Sequence, residues 1–324
     1  MNNTTVYCDF QNFHDAYEEV HGPLSFLVCV FGSIANILNI CVLTTKEMRW
    51  PTNLILTGLA IADLLVMLEY IPFTMHRYLD GDSKKYASHF TYKWALFMIF
   101  HAYFSLTFHF ISCCLTVILA IWRYIIITNP HNSNHYCGMR RTFTVITLSY
   151  VLCPILSMPI ILSLKVLSYN QTTTFSGRII DRIDLPSYHN DQITHQQIFY
   201  IDFISERHQQ VSLWLYGVLI KLVPCILLTH LSHKIISVLI ETKRRRRLLL
   251  NGSLPLNNLT EARSVLSRKF QKDRQADRTS GMLVAVLLLF LLTEFPQAIL
   301  GLLSATKGKR FQDECYLRLG NISQ

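Results

Sequence analysis

Six stretches of this chain run for more than twenty residues with few or no charged side chains, and short charged segments separate them. They cover about residues 24–45, 52–74, 94–127, 141–164, 210–240 and 277–305. A helix needs roughly 20 apolar residues to cross the hydrocarbon core of a bilayer. The pattern therefore predicts an all-α membrane protein with six membrane-spanning helices. The ionisable interruptions are few: Asp63 and Glu69 in the second span, His101 and His109 in the third, Lys221, His230, His233 and Lys234 in the fifth and Glu294 in the sixth, with Arg123, Arg141, Asp277 and Arg278 near span ends. No seventh apolar run follows Arg310.

The basic residues orient these spans. The leader 1–23 carries Asp9, Asp15, Glu18 and Glu19 with no Lys or Arg. It lacks the basic start of a cleavable signal peptide, and the apolar run behind it is too long for one. Lys46 and Arg49, Arg140 and Arg141, and the block Lys243–Arg247 follow spans one, three and five. Basic loops stay on the cytosolic side. The leader 1–23 and the tail 307–324 are thus expected outside, the loop 241–276 inside, and the protein in the plasma membrane. N-x-S/T triplets at Asn2, Asn3, Asn170 and Asn321 fall on the predicted outer side as glycosylation sites. Those at Asn251 and Asn258 fall inside and would go unused.

Composition narrows the function classes. Only 16% of residues are charged, against about 25% in soluble domains. The net charge of +9 is concentrated, with about a third of all Lys and Arg in Lys243–Arg247 and Arg263–Arg278. Beside apolar spans such a loop suits an anionic lipid face or a cytosolic partner, and not nucleic acid. Of the nine cysteines, Cys29, Cys41, Cys113, Cys114, Cys153 and Cys225 lie in apolar segments as packing residues. Cys8 and Cys315 would both face outside and could pair as a disulfide, and Cys137 in a short loop is a free or palmitoylated thiol. No phosphate loop, nucleophile elbow or dinucleotide fingerprint points to an enzyme or to a cofactor. His101 and His109 lack metal-ligand spacing and read as polar packing, so no metal is expected. A six-span channel or transporter would fit the span count, but no span has arginine at every third residue and no internal repeat appears.

Several polar residues recur inside the spans in a recognisable order. They are Gly32-Ser33-Ile34-Ala35-Asn36, Asn53, Leu59-Ala60-Ile61-Ala62-Asp63-Leu64, Ala120-Ile121-Trp122-Arg123-Tyr124, Pro224, and Thr293-Glu294-Phe295-Pro296. Together these resemble the rhodopsin-like G-protein-coupled receptors. Trp50 to Phe73, Trp122-Arg123-Tyr124, Ile220 to Cys225 ahead of Glu241 to Arg247, and Leu287 to Leu303 are similar to invertebrate myosuppressin-type receptors for FMRFamide-like neuropeptides. The resemblance covers about residues 22–320 and is weakest from Lys165 to Gln210.

The resemblance implies a rhodopsin-like helical bundle that senses an amidated peptide and moves a helix to engage a heterotrimeric G protein. It implies that Asp63 is an interior carboxylate linked to Na⁺, paired with Asn36 and polar atoms of span three, or else a protonated packing residue. It implies that Arg123, with Trp122 and Tyr124 and the basic residues Arg244 and Arg245, faces the G protein. Trp122 replaces the usual acid, so Asp273 or Asp277 would have to partner Arg123. Pro296 should kink span six. An Arg-Phe-amide ligand would bring a guanidinium, which carboxylates hold through charge-assisted bonds. Glu69 and Glu294 are the candidates, with Tyr70, His101, Tyr103, Phe104 and Gln297 lining the site. Glu294 has the alternative of bonding a neighbouring span.

Two departures from the family pattern stand out. The cysteine that tops span three is absent, Met98 lies near that depth, and the loop after span four has no cysteine, so the usual staple cannot form. The family's seventh span is not found before Gln324. Six of seven helices would give a truncated, non-signalling or regulatory form as the alternative to a signalling receptor.

Overall fold

The computed structural model describes residues 11–79, 85–129, 133–180, 193–252, 285, 288, 289 and 291–307. Its helices are α1 (Gln11–Leu43), α2 (Pro51–Thr74), α3 (Tyr92–Thr128), the short α4 (Ser133–Tyr136), α5 (Met139–Leu162), α6 (Glu206–Trp214) and α7 (Val223–Gly252). Residues 291–307, with 285, 288 and 289 before them, are the described part of span six, here α8. Five described helices are long and apolar enough to cross a membrane.

Local chemistry sets the helix ends. Pro51 opens α2, where its missing N–H costs nothing and its ring has already driven Trp50 to extended backbone. Thr91 caps α3 by accepting from Trp94 N at 3.2 Å, and Ser205 caps α6 by accepting from His208 N. Between α6 and α7 the helix widens to π geometry over Leu215–Leu222. Pro224 follows at once; it lacks an N–H and crowds the carbonyl four residues back, so the turn before it opens. α6, the π segment and α7 make one continuous fifth span, Glu206–Glu241.

α3 is the hub. Ile55 and Ala62 of α2, Phe110, Ile111, Leu115 and Leu119 of α3, Cys153 of α5 and Ile220 of the π segment form one buried cluster. Val117, Ala120, Leu228 and Ile235 form a second between α3 and α7, with Leu291 of α8 packed on it. The opposite faces of α1 (Leu24, Leu27, Phe31, Leu38) and α5 (Phe143, Val151, Ile155, Leu162) are apolar and exposed. Such faces suit lipid, not water.

The loop after span four departs from the all-helical expectation. β1 (Leu164–Thr174) and β2 (Ile193–Phe203) pair antiparallel from Leu164↔Phe203 to Thr174↔Ile193. Val166, Leu167, Phe199, Tyr200 and Ile201, with the threonines 172–174, are residues that favour a pleated strand. The hairpin sits where α3 begins. Phe199 N donates to Phe90 O at 3.0 Å, Ala87 N to Gly177 O at 2.9 Å, and Ile179 N to Lys85 O at 2.7 Å. Gly177, at φ +82°, makes the turn that brings its carbonyl there. These backbone bonds hold the loop that lacks a cysteine staple. The bundle therefore has a hairpin end and, opposite, a basic end carrying Arg123 and Arg244.

Candidate functional site

Among the described residues, three polar centres lie inside the bundle, each between helices brought together by the apolar clusters. Nearest the hairpin, His101 Nδ1 of α3 meets both oxygens of Glu69 of α2, at 2.8 and 2.9 Å. Both residues are buried. The imidazole stacks on Phe73 with centroids 3.9 Å apart, and Tyr70 tilts against both rings. Above it Phe97, Trp94, His76 and His89 stack in succession toward the hairpin.

Deeper, Lys221 of the π segment places its ammonium 2.7 Å from each of Glu294 Oε2, Gln297 Oε1 and His109 Nε2. An ammonium has three donors, and here three acceptors meet it. His109 Nε2 also lies 3.1 Å from Glu294 Oε2. In one tautomer Nε2 accepts from Lys221; in the other Nε2–H donates to Glu294 instead. His109, Cys113 and Glu294 offer metal-type ligand atoms within 4.8 Å of one another. The ammonium, however, stands against two of those three and balances the carboxylate.

The third centre is Asp63, whose Oδ1 accepts from Ser112 Oγ of α3 at 2.8 Å. The expected Asn36 partner is not there: Asn36 Nδ2 donates to its own helix at Gly32 O, 3.1 Å away, and approaches Met67 Sδ. A polar side chain in a helix finds the carbonyl four residues back more readily than a partner across the seam.

The other predicted residues scatter. Tyr103 donates to Pro154 O of α5 at 3.2 Å, and Phe104 packs between Phe100 and Phe108. The Tyr103 hydroxyl thus meets a backbone carbonyl and not a carboxylate. His101 and His109 are eight residues apart, about 12 Å along α3 at about 1.5 Å per residue. Glu69 and Glu294 thus lie at different depths, and one guanidinium cannot grip both. Pro296 lies within helical α8 between Glu294 and Gln297. At the basic end Trp122 turns to α5, Tyr124 packs on the α3–α7 cluster, and Arg123 Nε is buried with no hydrogen-bond partner among the described residues. Arg244 is exposed. Cys137 is buried, and burial pushes its thiol up, which disfavours acylation there. Asn170 is exposed on β1 opposite Gln197. The Arg245 side chain, and Asn2, Asn3, Cys8, Asp273, Asp277, Cys315 and Asn321, lie outside the described residues.

Lys221 and His109 are the site residues that sequence reasoning left without a role. Their signal was present, since an ionisable side chain inside an apolar span is costly and calls for a partner.

Residues 35–320 match the family model described as 7 transmembrane receptor (rhodopsin family). The chain belongs to this receptor family. It is therefore a multi-pass membrane receptor and not an enzyme. This receptor chain is 30% identical to the G-protein coupled receptor dmsr-1 of Caenorhabditis elegans, over 98% of the chain and 64% of that relative. It is 28% identical to Sex peptide receptor-related protein 2 of the same organism, over 88% of the chain and 59% of the relative. It is 26% identical to the Sex peptide receptor of Drosophila melanogaster, over 86% and 59%. The chain spans about three fifths of the length of these relatives.

Proposed function

We propose that this receptor recognises an amidated FMRFamide-like, myosuppressin-type neuropeptide from outside the cell and passes that binding to a heterotrimeric G protein. The observation that carries the reading is Glu69. Glu294 already faces the ammonium of Lys221, whereas Glu69 faces an imidazole that carries charge only when protonated. Glu69 is thus the carboxylate with charge to offer a ligand guanidinium. It lies on the hairpin side, beneath stacked rings suited to the phenylalanine of an Arg-Phe-amide end. The relatives named for sex peptide support a peptide as the ligand class. Arg123, exposed Arg244 and neighbouring Arg245 give the basic end its charge for a cytosolic partner and for anionic lipid.

The test is to express the receptor from its full transcript and compare Arg-Phe-amide peptides with analogues carrying citrulline, a neutral isostere of arginine. Hydrogen bonds to a charged group contribute about 1.5–3 kcal/mol, so arginine should be favoured by about tenfold or more. Glu69→Gln should erase that preference while leaving the citrulline peptide's potency nearly unchanged. Equal potency of the two peptides on the unmodified receptor would overturn the assignment.

A further inference from the structure

His109 and Cys113 stand four residues apart on α3, so both side chains leave the same helix face. Cys113 Sγ lies 3.6 Å from His109 Nε2, and Nε2 lies 3.1 Å from Glu294 Oε2 of span six. Around Zn²⁺, tetrahedral angles and ordinary bond lengths put a sulfur–nitrogen pair about 3.6 Å apart and a nitrogen–oxygen pair about 3.4 Å apart. Two edges of the tetrahedron are thus close to their zinc lengths already. The third, from Sγ to the carboxylate, falls within the 4.8 Å that encloses all three donor atoms. The eight-residue spacing of His101 and His109 hid this set, because the partner of His109 is a cysteine and not a second histidine.

The Lys221 ammonium marks where a cation sits. Nζ is 2.7 Å from His109 Nε2, from Glu294 Oε2 and from Gln297 Oε1. Donor atoms from α3 and span six therefore already converge on one positive charge. A nitrogen, a sulfur and carboxylate oxygen together suit Zn²⁺, whereas Mg²⁺ and Ca²⁺ take oxygen alone. The set is not sealed. The His109 side chain keeps 32% of its surface exposed, against 3% for Lys221 and 8% for Glu294, so an ion can approach from the His109 side.

We propose that His109, Cys113 and Glu294 form a Zn²⁺ site, with Gln297 Oε1 as fourth donor, and that zinc takes the place of the Lys221 ammonium. The exchange conserves charge. The Cys113 thiol loses its proton to become the thiolate ligand, as coordinating thiols do, and the Lys221 ammonium loses one as well, both to solvent. With His109 neutral, the buried set carries no net charge before or after. First it is one ammonium on one carboxylate, then one dication on a carboxylate and a thiolate. A lysine that stayed charged would be an unpaired buried cation, which burial strongly disfavours. The site is independent of the peptide reading above and holds whichever peptide binds.

The experiment titrates the purified full-length receptor with Co²⁺, whose bond to a thiolate gives an intense near-ultraviolet band, and then displaces it with Zn²⁺. The unmodified receptor should show the band and lose it as Zn²⁺ is added. Cys113→Ala keeps the Lys221–Glu294 pair and so should fold, but the band should be lost. Lys221→Arg also keeps a charge on Glu294, and a guanidinium does not give up its proton. Its Zn²⁺ affinity should fall by about tenfold or more, as for other changes beside metal ligands. Lys221→Met vacates the position, so Zn²⁺ should raise its melting temperature more than it raises that of the unmodified receptor. No band in the unmodified receptor, or a band that survives Cys113→Ala, overturns the site. Unchanged Zn²⁺ affinity in Lys221→Arg, or an equal or smaller rise in Lys221→Met, overturns the exchange with the ammonium. Zn²⁺ binding as expected with no response to any Arg-Phe-amide peptide would count against the peptide assignment and leave the site standing.

Discussion

Trp122 on α3 donates its indole N–H to Thr142 Oγ1 on α5 at 2.9 Å. Thr142 is fully buried and in turn donates to Gly138 O, at the first turn of α5. A relay of two hydrogen bonds thus ties the basic end of α3 to the start of α5. The aromatic residue at this position fastens two helices together, leaving its neighbour Arg123 without a carboxylate beside it in the chain.

Replacing Trp122 with Phe keeps a ring and removes the donor. The expected loss is about 1 kcal/mol, the net worth of one hydrogen bond, seen as a lower melting temperature of purified receptor. In a Thr142→Val background the same replacement should cost only its change in packing. Equal costs in the two backgrounds would mean that the bond contributes nothing.

Removing one partner of a buried polar pair is worse than removing both. His101→Phe preserves stacking on Phe73 but leaves the Glu69 carboxylate without its hydrogen bond, and should cost about 1.5–3 kcal/mol. Glu69→Leu/His101→Phe should recover most of that. Thermal unfolding in detergent distinguishes the two, and a double variant no more stable than His101→Phe would assign the loss to packing.

Gly217 and Gly301 let spans five and six approach through their backbones. A Cβ at Gly217 would lie 3.3 and 3.4 Å from Gly301 C and Leu302 N, and one at Gly301 would lie 3.4 Å from Gly217 Cα. These are main-chain atoms that cannot rotate away. Gly217→Val should therefore destabilise the receptor by about 1–3 kcal/mol, as overpacking does, with Gly217→Ala milder. A melting temperature unchanged by Gly217→Val would show that the two spans have slack there.

Asn170 offers a direct check on orientation. The side chain is exposed on β1, and Thr172 completes the triplet. If the hairpin end faces outside, peptide-N-glycosidase should shift the mobility of the expressed receptor. Asn170→Gln and Thr172→Ala should each reduce that shift by one glycan. A hairpin facing the cytosol would show no difference at this site.

Much of the bundle was legible because an apolar run longer than about 20 residues has few alternatives to a spanning helix. The hairpin was not, since its alternating strands sit in a polar loop with mixed charge and no cysteine to mark a fixed structure. The inner site was half legible. Glu69, His101, Glu294 and Gln297 stood out as polar residues within or beside apolar sequence. Their partners did not, because His109 and Glu294 are 185 positions apart and helical periodicity says nothing about which distant faces meet. Asn36 failed for the opposite reason, since a carbonyl one turn away in its own helix satisfies it locally.

The way the hairpin is seated has a bearing on how the receptor can be handled. Its attachments to residues 85–90 and to Ser163 are main-chain hydrogen bonds, and a thiol reductant has nothing to cleave in them. Dithiothreitol should leave this mouth of the bundle in place, where a cysteine-stapled mouth would loosen. Urea, which competes for peptide groups, should loosen it first.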